Sequence, residues 1–407
     1  MATLVKKFGG SSVATPEKIH GIVDRVMREK KQDDRIVIVV SAMGDSTDDL
    51  LELAAKVTDN MPKRELDMLL STGEQVSIAL LAAAFCSKGQ PAVSFTGGQA
   101  GIHTSDVHTK ATILNVDAKR VREALDEGKI AIVAGFQGVT EKGDITTLGR
   151  GGSDTTAVAV AAGIKADFCE IYTDVDGVYT SDPRIVPNAR KMNEITFAEM
   201  LELARLGAGV MQPRAVEYGE HNGVAIHVRS TFNNVPGTII REEYTVQEKN
   251  FVIRGVAHDT NVAKIAVKGV PDQPGVAYRL FSALADANVD VDMIIQSVRD
   301  IDGSNDILFT VAKTDLVEAT SVVESLKDAM GGFTVDVEIN VAKVSIVGAG
   351  MLGSPGIAAG MFGALAKAGV NIAAISTSEI SISCLIKESD VKVAVNAIHE
   401  HFFPSEN

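Results

Sequence analysis

The segment KKFGGSSVATPEK (6–18) sets a lysine and a glycine pair between a β-branched run and a helix start at Thr15-Pro16. Glycines let backbone N–H groups approach a phosphate closely, a helix start adds positive dipole, and Lys7 adds mobile charge. The chemistry is phosphate binding, without the Gly-x4-Gly-Lys-Ser/Thr spacing of a P-loop; the alternative is a plain glycine turn. GRGGSDTTA (149–157) is a second glycine turn running into a helix of small residues. Arg150 there can clamp a carboxylate in bidentate fashion, and Asp154 can orient a lysine or a metal. Ser153 or Asp154 can otherwise cap the helix with Arg150 exposed, but the density of glycine and charge favours function.

Other segments read two ways. In STGEQVS (71–77), Glu74 either closes a capping box with Ser71 or Thr72 or pairs with a substrate ammonium. VVSAMGDSTDDLLEL (39–53) places Ser41 after a buried strand and Asp45, Ser46, Thr47 and Asp48 where they can cap a helix. YTDVDGVYTSDPR (172–184) lacks the EF-hand spacing and closing Glu, so nucleotide contact or loop structure is expected in place of calcium. His103 and His108 are read as exposed loop residues.

The elements that must hold these residues follow from periodicity. Thr3–Val5, Arg35–Val40, Ala92–Phe95, Ile130–Ala134 and Phe168–Tyr172 read as strands, with helical patterns between them at Pro16–Lys30, Ser71–Ser87 and Asp117–Glu127. This α/β alternation indicates a mainly parallel central sheet covered on both faces, a three-layer sandwich with its ligand site beyond the carboxyl ends of the strands. Turn residues and charge across 232–247 break the rhythm and mark a domain boundary. Beyond it PGVAYRLFSALADANVDV (274–291) aligns on PGIAAGMFGALAKAGVNI (355–372) at nine of eighteen positions. Strands precede and follow each copy, which gives two small α+β domains able to place equivalent turns side by side. The expected division is 1–245, 246–335 and 336–407.

Composition narrows the class. The 407 residues are 45% hydrophobic and carry a net charge of −14, which suits packed cores and repels nucleic acid and anionic membranes. Neither is expected as a partner. The three cysteines, Cys86, Cys169 and Cys384, lie among apolar residues and read as buried thiols. The longest apolar run, near Ile78 to Cys86, is short for a membrane span, and no signal peptide is evident, so the expected location is the cytoplasm.

Taken together, KFGGSS, SAMGDSTDDLLEL, STGE, GRGGSDTTA and YTDVDGVYTSDPR, in this order, resemble aspartate kinase of the amino-acid-kinase superfamily, and the duplication over 264–393 resembles tandem ACT domains. The resemblance covers the whole chain and implies transfer of the ATP γ-phosphoryl group to L-aspartate with magnesium as cofactor. It implies Lys7 and Asp154 as catalytic residues, Asp154 organising the lysine. Gly9, Gly10 and Ser11 would surround the phosphates, and Thr173, Asp174, Tyr179 and Arg184 would line the nucleotide site. Ser41, Thr47, Glu74, Arg150 and Ser153 would hold aspartate, Glu74 at its ammonium and Arg150 at its α-carboxylate. An aspartate β-carboxylate is ionised at neutral pH, so no general base is needed. Two departures stand out. Gly209 in LGAGVMQPR (206–214) replaces a lysine common among relatives, and GAGMLGSPG (348–356) lacks the Lys and His of some effector sites. Lysine and/or threonine are the implied effectors, with contacts at Asp272, Gly275, Ala277, Gln296, Asn371, Ile372, Ser378 and Glu379. A homo-oligomer paired through the ACT domains is expected.

Overall fold

The computed structural model describes residues 2–243, 252–297, 304–351 and 353–404. The chain forms two compact units, the first comprising Met1–Val178, Lys191–Ala204 and Gly209–Glu248, the second Tyr179–Arg190, Arg205–Ala208 and Lys249–Asn407.

The strands of the first unit are β1 (Thr3–Phe8), β2 (Arg35–Val40), β3 (Ala92–Phe95), β4 (Ile102–Thr104), β5 (Ile113–Val116), β6 (Ile130–Ala134), β7 (Gln137–Val139), β8 (Ile145–Thr147), β9 (Phe168–Thr173), β10 (Glu194–Thr196), β11 (Ile226–Ser230) and β12 (Thr238–Arg241). Eight of them make the main sheet in the order β10-β12-β11-β9-β1-β2-β6-β3, parallel except where β11 meets β12, and β5-β4-β7-β8 form a small second sheet. Helices α1 (Pro16–Glu29), α2 (Ser46–Val57), α3 (Lys63–Leu70), α4 (Thr72–Ser87), α5 (Lys119–Asp126), α6 (Gly152–Ile164), α7 (Phe197–Arg205) and α8 (Pro213–Asn222) complete the α/β architecture. Thr15 caps α1 by accepting from Lys18 N–H, Pro16 opens it, and Ile19, Ile22, Val23 and Val26 form the buried stripe that i, i+3, i+4, i+7 spacing demands.

Strand alternation sends neighbouring lysines of β1 to opposite faces. Lys6 shares one face with Phe8, which stacks on Tyr172 at 4.6 Å, and donates to Glu170 at 2.5 Å and Glu29 at 3.2 Å. Lys7 takes the other face, where α6 packs; Gly152 to Ala161 of that helix are all buried, their small side chains allowing close approach. The stretch Lys63–Ser87 has the length and apolar character of a membrane span, contrary to the expectation from its sequence, and 56% of its apolar window is buried in the fold. It is core packing of this unit.

In the second unit β13 (Gly255–Pro271), β14 (Ile294–Gln296), β15 (Ser304–Ala312), β16 (Thr334–Val347), β17 (Ala374–Thr377) and β18 (Ser381–Lys387) form one sheet in the order β14-β15-β13-β16-β18-β17. Helices α9 (Val276–Asp286), α10 (Leu316–Ser325), α11 (Ile357–Lys367) and α12 (Val391–Phe402) cover it. Each repeat has its own core, one around Ile265, Leu280, Phe309 and Phe333, the other around Val344, Met361, Leu365 and Ile398. The strands do not respect that division. The second half of β13 pairs with β15 while its first half, from Gly255, pairs with the end of β16, and the expected 335/336 division falls inside β16.

Candidate active site

Three strand ends converge through their turns. Ser41 N–H donates to Phe8 O at 3.2 Å, Gly44 N–H to Gly10 O at 3.1 Å, and Gly135 N–H to Val40 O at 2.9 Å, which ties the segments leaving β1, β2 and β6 together. A Cβ on Gly10 would lie 2.9 Å from Ala42 O, and one on Gly135 would lie 2.7 Å from Ser153 Oγ, so both positions require glycine. Across this edge Lys7 Nζ meets Asp154 Oδ1 at 2.5 Å, with both residues largely buried. The ammonium therefore sits beside the Gly9 turn, held by an acid from the first turn of α6, where a helix start also favours negative charge.

Glu74 reaches the turn after β2 from α4. Its Oε1 accepts from Ala42 N–H at 3.2 Å, its Oε2 is buried without a hydrogen-bond partner among the described residues, and α4 has no side-chain cap. The capping-box alternative for Glu74 is thus corrected: Ser71 N–H donates to Asp67 O, and the Glu74 carboxylate reaches across to the β2 turn. Burial pushes this carboxyl up to about 7 from 4.5, against the opposing pull of its own N–H, the Ala42 N–H and the Gln137 side chain. An orphaned buried carboxylate oxygen suits an incoming ammonium group.

Ser153 and Asp154 lie inside α6, whose cap is Gly151 with φ of 69°, so neither is an N-cap. Arg150 is exposed on that turn, and Thr47 is half-buried in the first turn of α2, which Asp45 precedes without a side-chain cap. Thr173 ends β9, which pairs with β1, and Asp174 follows it, with Thr173 Oγ1 donating to Asp174 at 3.1 Å. Ser11 is exposed in the turn after β1. Tyr179 and Arg184 belong to the second unit, where Arg184 grips Asp182 through Nε at 3.0 Å and Nη2 at 2.7 Å. A side chain at Gly209 would meet open space.

In the second unit Asp272, Gly275, Ala277 and Gln296 line one cavity of about 100 Å³, and Asn305 Nδ2 donates to Asp272 Oδ1 at 3.1 Å. Their counterparts in the second repeat are arranged differently. Asn371 and Glu379 are exposed, Ile372 packs against the local core, and Ser378 Oγ bonds Ser381 Oγ at 2.8 Å across the turn between β17 and β18.

Several supporting residues escape sequence reasoning. Asp67, fully buried, accepts from Thr109 N–H at 3.0 Å and Thr147 Oγ1 at 2.5 Å and bonds His108 Nδ1 at 2.8 Å. His108 is therefore a half-buried anchor and His103 lies in β4, which corrects their reading as exposed loop residues. Arg214 donates to Leu148 O at 2.8 Å and Ala111 O at 2.9 Å, bracing the segment before Arg150. The one available signal was an acid within the apolar run LDMLL, since a fully buried acid is rare unless bonded. Cys86 is exposed, which corrects its expected burial, whereas Cys169 and Cys384 are buried.

A model of the amino acid kinase family matches residues 2–230, and one of the ACT domain matches 265–326 and 344–402. An aspartokinase of Mycolicibacterium smegmatis is 51% identical over 405 residues, spanning 99% of this chain and 96% of its own. The crystal structure of E. coli aspartokinase III in complex with aspartate and ADP matches with a TM-score of 0.85 at 25% identity, over 98% of this chain and 99% of that one. The same enzyme in complex with lysine and aspartate matches with a TM-score of 0.76 at 26% identity, over 98% and 99%.

A parallel sheet that brings a lysine, an acid and glycine turns to one edge defines a phosphotransferase acting on small molecules. The chain belongs to the amino acid kinase family and, within it, to the ACT-containing aspartokinases: it is an aspartate kinase under allosteric control.

Proposed function

We propose that the enzyme transfers the γ-phosphoryl group of ATP to the β-carboxylate of L-aspartate, giving 4-phospho-L-aspartate as the first step toward lysine, threonine and methionine in the cytoplasm. The observation that carries the reading is the Lys7–Asp154 pair at 2.5 Å beside the Gly9-Gly10 turn; the buried Glu74 carboxylate, bonded to Ala42 N–H after β2, adds to it. Aspartate and ADP in the E. coli relative support the substrate pair.

The carboxylate nucleophile is already ionised, so the residues have to align two anions and offset charge on the transferring group. Lys7 lies against the γ-phosphoryl oxygens, and Asp154 holds its ammonium in place. Amides of Gly9, Gly10 and Ser11 take the phosphates. Glu74 receives the substrate ammonium and Arg150 its α-carboxylate, with Ser41, Thr47 and Ser153 completing the pocket. Thr173 and Asp174 serve the nucleotide.

Among the described residues no group of three or more His, Cys, Asp or Glu is placed to hold a metal ion. Magnesium would then arrive with the nucleotide, ligated by its phosphate oxygens, and would offset phosphate charge. Lysine in the second E. coli complex supports lysine as an effector, alone or with threonine, and the cavity at Asp272, Gly275, Ala277 and Gln296 is its proposed seat. The ACT units are proposed to pair in a homo-oligomer.

The test is coupled ADP release with a panel of amino acids. Aspartate is expected to be the sole good acceptor, and Lys7→Ala to lower kcat by at least about a hundredfold while circular dichroism is unchanged. Unchanged turnover in that variant overturns the role of Lys7, and preference for another acid overturns the substrate.

A further inference from the structure

A second cavity lies in the first unit, on the α1 side of the sheet, with a volume of about 300 Å³. Lys18, Gly21, Ile22, Arg25 and Arg28 line it at i, i+3, i+4, i+7 and i+10, one face of a single helix. Gly21 leaves the middle of that face without a side chain, and a Cβ there would meet nothing within 4 Å. No carboxylate is among the lining residues; Lys18 and Arg28 face the space with Arg25, whose charge is offset in part by Glu29 on its Nε side.

Arg25 is the key observation. It is only 6% exposed, and most of its polar atoms are committed: Nη1 donates to Ser230 O at 2.8 Å and Thr231 O at 2.9 Å, and Nε to Glu29 at 3.0 Å. Its guanidinium lies 4.6 Å from the Tyr172 ring centroid, yet its Nη2 is buried with no acceptor among the described residues. An unpaired buried donor on a cation costs far more than one on a neutral group, so an anion at this position satisfies it. Phe232 forms the far wall, 59% exposed, with Lys18 Nζ 5.9 Å from its ring centroid.

Size and charge select the ligand. A water occupies about 30 Å³ of liquid, so the cavity holds roughly ten waters' worth of material, more than an inorganic anion fills. Lys18 and Arg28, with the remaining Nη2 donor of Arg25, match a dianion, for which guanidinium forks are suited. We propose that this groove binds a small phosphate monoester, its phosphate on Arg25, Arg28 and Lys18 and its organic body against Phe232. The groove lies on the face of β1 opposite Lys7, the side of Lys6, Phe8 and Tyr172, and reaches the phosphate turn through Ser12, whose Oγ bonds Thr231 Oγ1 at 2.8 Å. Lys18 Nζ also donates to Ser11 O at 2.8 Å, so a ligand that draws Lys18 away changes a contact of the phosphate turn.

The test is thermal unfolding of the full chain, saturated with ADP and aspartate, titrated with sn-glycerol 3-phosphate or inorganic phosphate at constant ionic strength. The ester is expected to raise the midpoint saturably. The double variant K18Q/R28Q, whose side chains are exposed, should keep its unliganded midpoint and need at least about tenfold more ester for the same rise, the loss expected for a charge-assisted hydrogen bond. F232A should weaken the ester and leave inorganic phosphate unchanged. A response in the double variant equal to the parent's, or no saturable response to the ester, overturns the proposal. Equal responses to ester and inorganic phosphate overturn the ester and leave the free anion as ligand.

Discussion

Replacing Glu74 by Gln tests the physical core of the site. Moving a carboxyl from 4.5 to about 7 corresponds to roughly 3 kcal/mol of disfavoured ionisation. The sign follows from proton binding. Between those pH values the folded state holds a proton that the unfolded chain has released, so stability falls as pH rises through the window. Above about pH 7 the full cost is present, and below about pH 4.5 it vanishes. Glutamine cannot titrate and keeps an oxygen to accept from Ala42 N–H. Its buried amide adds a pH-independent cost of roughly 1–3 kcal/mol if unpaired, so the informative quantity is the slope. Urea unfolding of parent and variant at several pH values should show the variant gaining about 3 kcal/mol relative to the parent between pH 4.5 and 8. Aspartate affinity should fall roughly 10- to 100-fold as a charge-assisted bond is lost. Calorimetry in buffers of different ionisation enthalpy should show the parent releasing a proton on binding aspartate near pH 6.5. A stability difference flat from pH 5 to 8, together with unchanged aspartate affinity, refutes both the buried-carboxylate argument and the ammonium contact.

Three further outcomes are expected. Gly135→Ala places a Cβ 2.7 Å from Ser153 Oγ and 3.0 Å from Ser153 Cα, so α6 must shift; a loss of about 1–3 kcal/mol and a lower kcat are expected, read by unfolding and steady-state kinetics. Asp67→Ala strips Thr109, Thr147 and His108 of a buried acceptor and should cost on the order of 2–4 kcal/mol, with increased amide exchange across 105–111 as the local readout. Thiol titration of the native protein should label Cys86 alone. Burial pushes the Cys384 thiol up to about 12 and the Cys169 thiol higher still, so both should react only after unfolding.

The sequence by itself determined the α/β class, the parallel sheet and the repeat beyond it, because hydrophobic period and turn chemistry are local properties. β2 and β6 occupy the expected bounds, and α1 begins at Thr15-Pro16 because a hydroxyl cap followed by proline leaves little alternative. Local signals failed where a side chain had a distant competitor. Glu74 and its neighbours spell a capping box, yet an amide 32 residues away wins its carboxylate. Lys6 and Lys7 are adjacent and identical in type, and only the strand's pleat and the helices on each face make one a buried tie to Glu170 and the other the partner of Asp154. The same holds for β16, whose residues read as the start of one repeat but complete the sheet of both. Tertiary structure decided these points because burial, and hence the worth of a charge or a hydrogen bond, depends on residues far apart in the chain.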